Sequence, residues 1–251
     1  MNFSQKNVLI TGGSRGIGQA TAFAFARAGA QVAIVYRSDE KAARLTIDTL
    51  AGNNHLAIQA DISNPESVRQ MINQVMRAFG RLDIVVNNAA VFDAQPIDQS
   101  SYEHWQQSWA HTLGVNLLGA ANVCYCAAQY MMQQRSGCIV NVSSRGAYRG
   151  EPDSPAYGAS KGGLNAMSQS LAKSLGKYDV TVHAVAPGFV DTEMAQHLLD
   201  GPEGDGIRAQ SPMGRVARPD EVAHAILFLA SEGAVFTSGA ILDLNGASYF
   251  R

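Results

Sequence analysis

Short apolar runs recur along the chain, and between them apolar positions return every three or four residues. The runs are 8–10 (VLI), Gln31–Tyr36 (QVAIVY), 55–59 (HLAIQ), 82–86 (LDIVV), 138–142 (CIVNV), 180–185 (VTVHAV) and 240–244 (AILDL). Their length and near-continuous apolar character predict strands buried on both faces. The segments between them predict helices. One follows Gly18 and stops at Gly29, a second leads from Asp39 to Leu50, and Asn64-Pro65-Glu66 opens a third that ends at Gly80. A long helix is predicted from about 112 to 134, another from Pro155 through Leu175, and a last one from Pro219 to near Leu229. The stretch 93–111 is polar and aromatic and receives no element. Gly and Pro punctuate 191–218, which reads as a mobile segment able to cover a site.

Strands alternating with helices predict a parallel sheet covered on both faces, in one domain spanning 1–251 with no linker. A (β/α)8 barrel alternates in the same way. The glycine-rich turn after the first strand favours the other α/β solution, a single-domain, doubly wound, Rossmann-like sheet with ligands at the strands' carboxyl ends. Thr11, Tyr36, Asp61, Asn87, Ser144 and Pro187 all fall at or just past such ends.

Composition narrows the class. Of 251 residues, 46% are hydrophobic and 16% charged, enough for a large core. A formal net charge of -2 gives no electrostatic case for nucleic acid or an anionic membrane. No apolar run has the length of a membrane span, and the start lacks the features of a signal peptide, so a cytoplasmic protein is expected. Cys124, Cys126 and Cys138 show no CxxC spacing and read as buried thiols. The histidines are scattered without an HExxH, and no metal site is expected.

The candidate chemistry lies in two places. Thr11-Gly12-Gly13-Ser14-Arg15-Gly16-Ile17-Gly18 is a strand-to-helix turn that lets backbone approach a pyrophosphate at a helix N-terminus. Its glycines read GxxxGxG, one residue longer than the dinucleotide fingerprint GxGxxG. At the end of the second strand stand Tyr36 and Arg37 with no carboxylate, while Asp39 suits the start of the next helix. An arginine there, with Arg15 within reach, points to the 2′-phosphate of NADP rather than the bare ribose of NAD. The second place is Ser144 to Lys161. On a helix from Pro155, Tyr157 and Lys161 rise from one face, and a lysine ammonium beside a phenol favours the phenolate. Ser144, just past a strand, can hydrogen-bond the same substrate oxygen. A YxxxK spacing alone arises by chance in about one such chain in six, so it needs its company.

That company is present. The set Thr11-Gly12-x-x-x-Gly16-x-Gly18, Asp61, Asn87-Asn88-Ala89, Asn116, Ser144, Tyr157-x-x-x-Lys161, Pro187-Gly188 and Thr192 resembles the short-chain dehydrogenase/reductase family in order and spacing across nearly the whole chain. The resemblance implies that Tyr157 is the general acid in ketone reduction and the base in reverse. It implies that Lys161 holds the nicotinamide ribose hydroxyls, that Ser144 steadies the carbonyl, and that Asn116 anchors a water. NADP(H) is the cofactor implied, held by Gly12, Ser14, Arg15, Ile17 and Gly18 in the turn and by Arg37, Asp61 and Ile62 around the adenosine. Asn88, Ala89, Pro187, Gly188, Val190 and Thr192, with Tyr157 and Lys161, complete that expected site, and Asn87 is expected to line it. Ala90 stands where the family usually has glycine.

The ending FLASEGAVFTSGAILDLNGASYF resembles the 3-oxoacyl-(acyl-carrier-protein) reductase branch. That branch implies an acyl thioester on acyl carrier protein or CoA, with basic residues at the site mouth. Arg135 matches one such position, and Tyr178 beside Lys177 stands at the other. A general carbonyl, sugar or polyol dehydrogenase uses the same catalytic residues, and an inactive cofactor-binding regulator is a third reading. The family also implies a homotetramer.

Overall fold

The computed structural model describes residues 1–251. Its strands are β1 (Asn7–Thr11), β2 (Gln31–Tyr36), β3 (Leu56–Gln59), β4 (Ile84–Asn87), β5 (Gly137–Val142), β6 (Val180–Pro187) and β7 (Ile241–Leu244). The larger helices are α1 (Gly16–Arg27), α2 (Glu40–Thr49), α3 (Pro65–Phe79), α4 (Tyr102–Leu113), α5 (Ala120–Gln134), the single turn α6 (Gly146–Arg149) and α7 (Pro155–Leu175). Two short helices, α8 (Glu193–Leu199) and α9 (Gly204–Ala209), precede α10 (Pro219–Leu229). All seven strands are parallel, in the order β3-β2-β1-β4-β5-β6-β7. The chain order reverses between β1 and β4, and a crevice opens there beyond the carboxyl ends. This is the doubly wound sheet and not the barrel.

Side chains alternate across the sheet with period two. Val8 and Ile10 of β1 pack with Phe25 of α1 and Ile226 of α10 on one face. Leu9 between them packs on the other face with Ile72 of α3 and Met131 of α5. Each such fully buried apolar side chain contributes about 1.5–3 kcal/mol, which fixes the strand register. Capping follows the residues: Asn64 Oδ1 accepts from Glu66 N and Ser67 N at the start of α3, and Gly80 ends it at φ 76°. Asp39 caps α2 by accepting from Ala42 N at 2.9 Å.

Two segments differ from expectation. The unassigned stretch ends in α4, capped by Ser101 Oγ, which accepts from His104 N. Its apolar stripe is thin because Trp105 and Trp109 pack on each other, with ring centroids 5.7 Å apart, and the buried positions are the polar Ser108 and Thr112. The long helix does not run unbroken either. Between α4 and α5 lies a six-residue π-helical segment, Gly114–Gly119, which contains Asn116. In the 191–218 segment, α8 and α9 replace the expected irregular stretch, and Val190 bridges to Ala217 at its base.

Candidate active site

The crevice is a cleft of about 380 Å3. At one end the glycine turn leads from β1 into α1. Gly12 has φ +64°, and a Cβ there would stand 3.0 Å from both Ala89 Cα and Asn88 Nδ2. Asn88 Nδ2 donates to Thr11 O and Gly12 O, and Thr11 Oγ1 accepts from Asn88 N and Ala89 N. Asn88 therefore both braces the turn against β4 and lines the cleft. Gly18 packs directly on the turn: a Cβ there would lie 2.2 Å from Gly12 O, so glycine allows helix and loop to touch. The N-terminus of α1 has no side-chain cap and no acidic residue in its first turn, which leaves its N–H groups and positive end available to an anion.

Arg15 and Arg37 line the same end, and Asp39, the acid that follows β2, is committed to capping α2. Arg15 Nη1 meets Glu193 Oε2 of α8 at 3.3 Å, a wholly exposed pair of small energetic worth. Asp61 Oδ1 accepts from Ser63 N and Oγ, and these hydrogen bonds hold its carboxyl below the usual range, charged and able to accept from an adenine amino group. Ile62, Ala89, Pro187, Gly188, Val190 and Thr192 also line the cleft, as do Ser14 and Ile17. These features fit a phosphorylated dinucleotide: an open helix end for the pyrophosphate and two cations without a ribose-binding acid.

At the other end stand the proton-transfer candidates. Ser143 N donates to Val185 O and Arg145 N to Pro187 O, so Ser144 is pinned by backbone bonds that extend the β5–β6 pairing. Tyr157 and Lys161 rise from α7, and all three side chains reach the cleft. Phe92 meets the Tyr157 ring edge-on, with centroids 4.9 Å apart. Lys161 Nζ donates to Val142 O at 2.8 Å and lies 5.6 Å from the Tyr157 ring centroid. Burial pushes the Tyr157 phenol up to about 12, partly offset by the Ser144 hydroxyl and reinforced by the charge of Glu151. Burial pulls Lys161 down to about 8. The expected depression of Tyr157 by Lys161 is thus reversed in the protein alone. Low dielectric disfavours both charged forms, and the phenol is held as an acid.

Two expectations need correction, those for Asn87 and for the basic pair Arg135 and Lys177. Asn87 does not line the cleft: its amide is buried under the sheet, donating to Asn141 Oδ1 at 2.9 Å and to Cys124 Sγ. Asn116 is buried as well. Oδ1 accepts from Val91 N, while Nδ2 donates to Val91 O and Ser160 Oγ, so the side chain ties the cleft wall to α7. Arg135 and Lys177 precede β5 and β6, so they stand at the amino-terminal edge of the sheet, opposite the cleft. Arg135 is paired there with Asp179 at 3.0 Å. Within one chain they are not at the mouth.

Several lining residues were not singled out in the sequence. Phe92, Met194 and Leu198 give the substrate end apolar walls, and Glu151 adds a carboxylate. Ala90 lines the cleft too, its methyl accommodated. Arg145, buried at 3% exposure, donates to Gln210 Oε1 of the 191–218 segment and to Ser248 Oγ near the C-terminus. No local signal marks these residues, because loops and helices far apart in sequence bring them together.

Relatives match the chain along nearly its whole length. A family model described as enoyl-(acyl carrier protein) reductase matches residues 12–246. The 3-oxoacyl-[acyl-carrier-protein] reductase FabG of Chlamydia trachomatis is 34% identical over 243 residues, 96% of each chain. The D-threitol dehydrogenase of Mycolicibacterium smegmatis is 37% identical over 243 residues, 96% of this chain and 92% of that one. A short chain dehydrogenase from Burkholderia cenocepacia, solved in complex with NADP, superposes with a TM-score of 0.88 at 32% identity over 99% of each chain. With its doubly wound sheet, its glycine turn and its Ser144, Tyr157 and Lys161 in one cleft, the chain belongs to the short-chain dehydrogenase/reductase family of oxidoreductases.

Proposed function

We propose that the chain is an NADPH-dependent reductase of a ketone, reversible as an alcohol dehydrogenase, with Tyr157 as the proton donor. The observation that carries this reading is the meeting of Ser144, Tyr157 and Lys161 in the cleft whose far end holds the open α1 terminus, Arg15 and Arg37. When bound, the nicotinamide supplies the hydride to the carbonyl carbon. Ser144 hydrogen-bonds the carbonyl oxygen and fixes its position beside the phenol. Tyr157, held protonated by burial, gives its proton to that oxygen as charge develops on it. Lys161 donates to the ribose hydroxyls, and its ammonium stabilises the phenolate left behind. The 191–218 segment closes over the substrate end through Met194 and Leu198. Arg37 and Arg15 take the 2′-phosphate, which makes NADPH the preferred cofactor.

Two substrate classes fit. The relatives named for 3-oxoacyl-[acyl-carrier-protein] reduction support an acyl thioester, and the D-threitol dehydrogenase supports a polyol and its ketone. Arg135 and Lys177 serve a carrier protein only if a second copy of the chain brings that edge to the mouth. Exposed Leu118 and Tyr125, on the helix that carries Asn116 and α5, and half-exposed Leu242 of β7 support assembly as a homotetramer. The test is NADPH consumption with acetoacetyl thioester, simple ketones, diketones and ketoses. Tyr157→Phe is expected to cut turnover at least about 100-fold while NADPH still binds. NADPH binding with no turnover of any carbonyl would overturn the proposal in favour of a cofactor-binding regulator.

A further inference from the structure

Glu151 lies in the loop between α6 and α7 and faces the cleft alongside Ser144 and Tyr157. Its side chain is 18% exposed. Its carboxylate is seated over Gly146, where a Cβ would come 2.5 Å from Oε1 and push the carboxylate aside. Yet nothing donates a hydrogen bond to it. Arg149 Nε comes no nearer than 3.8 Å. Arg149 and Arg145 are turned instead to Gln210 Oε1, at 3.2 and 2.8 Å. The carboxylate therefore keeps acceptor positions free on the cleft side, with only a long ion pair to Arg149 beside it. It stands at the substrate end with Phe92, Met194 and Leu198, while Glu193, beside Met194, is paired with Arg15.

We propose that Glu151 is a specificity-determining residue that accepts hydrogen bonds from hydroxyl groups flanking the reacting carbon, so that the substrate is a neutral hydroxylated ketone or its polyol. The inference rests on the reductase reading above and names the substrate class for the same cleft. A fatty-acyl chain would displace the water around the carboxylate and return no donor. A carboxylate or phosphate on the substrate would meet like charge at Glu151. An ammonium would enter a region where Arg145 and Arg149 outnumber the single acid. Neutral hydroxyl groups close to the carbonyl satisfy the acceptor without a charge penalty. The burial that raises Glu151 above the ordinary carboxylate range, opposed by the two arginines, agrees with a group kept short of solvent until a donor arrives.

The experiment compares kcat/KM with NADPH for a four-carbon ketotriol, erythrulose, a four-carbon diketone and acetoacetyl thioester, in the native protein, Glu151→Gln and Glu151→Ala. NADPH affinity by fluorescence reports whether each variant keeps its fold and cofactor site. For the ketotriol, Glu151→Ala is expected to lose roughly 10- to 100-fold, the range for one hydrogen bond to a charged group, with Glu151→Gln between. For the diketone the loss should be about threefold or less. Equal losses on both substrates, or none on the ketotriol, would overturn the assignment to Glu151 while leaving the reductase reading in place. So would a native protein that prefers the thioester and is indifferent to Glu151. NADPH binding without reduction of any of the three would overturn the reductase reading, and the inference with it.

Discussion

Replacing Lys161 with methionine separates the stability of this fold from the chemistry of its cleft. The ammonium is 2% exposed, and its hydrogen bond is the one to Val142 O. Burial lowers it from an ordinary 10.5 to about 8. At about 1.4 kcal/mol for each tenfold in proton affinity, holding that charge at pH 7 costs the native state about 3 kcal/mol. Methionine keeps the length and apolar stem and removes the charge. It also leaves Val142 O without its donor, a loss of about 1–3 kcal/mol. The difference predicts a variant more stable than the native protein by about 0–2 kcal/mol at pH 7 and nearly inactive. The pH dependence has a definite sign. Between about 8 and 10.5 the unfolded lysine keeps its proton and the folded one loses it. The unfolded state then binds more protons, and native stability from this group rises with pH across that window. The methionine variant lacks that rise, so its advantage shrinks above about pH 8, is gone by about pH 9.5 and is reversed near pH 10. Urea unfolding at several pH values, with NADPH absent, measures this directly. A variant less stable by more than about 1 kcal/mol at pH 7, or a gap that does not change with pH, would refute the argument.

Two further outcomes concern cofactor and assembly. Arg37→Asp should lower kcat/KM for NADPH at least about tenfold relative to NADH, since it removes a charge-assisted contact and places an acid near the 2′-phosphate. An unchanged cofactor ratio would mean that Arg37 does not meet the phosphate. Light scattering at micromolar concentration should return four times the 26.7 kDa chain mass. A monomer would show that Leu118, Tyr125 and Leu242 are simply exposed, and would remove the one route by which Arg135 reaches a cleft mouth.

Much of this architecture is legible in sequence because its determinants are local. A strand buried on both faces must be apolar throughout. A backbone that turns from β1 into α1 against Ala89 must have glycine at 12 and 18. Tyr157 and Lys161 need only four residues of helix to share a face. What escapes is set by distance in the chain. Asn87 and Asn88 are identical neighbours, but strand alternation sends the first under the sheet to Asn141 and leaves the second at the cleft. Asn116 is held on both sides of its amide by Val91, twenty-five residues upstream, a link that no local pattern announces. Arg135 looks like a docking cation until strand direction puts it at the wrong edge. Glu151 looks like one more loop acid, and only the arginines' commitment to Gln210 reveals that it has no donor.

The π-helical segment before α5 carries a consequence for how this chain tolerates change. In an α-helix each residue advances the side-chain direction by about 100°. The wider turn at Gly114–Gly119 takes up that angle between α4 and α5. Its effect is to set the rotational phase of α5 independently of α4, so that Val123, Cys124, Ala127 and Met131 point at the sheet. Losing a single residue from the segment would leave both helices intact and roll the second about a quarter turn, carrying its apolar stripe away from the core. A one-residue deletion here should therefore be far more damaging than a conservative one-residue substitution in the same segment.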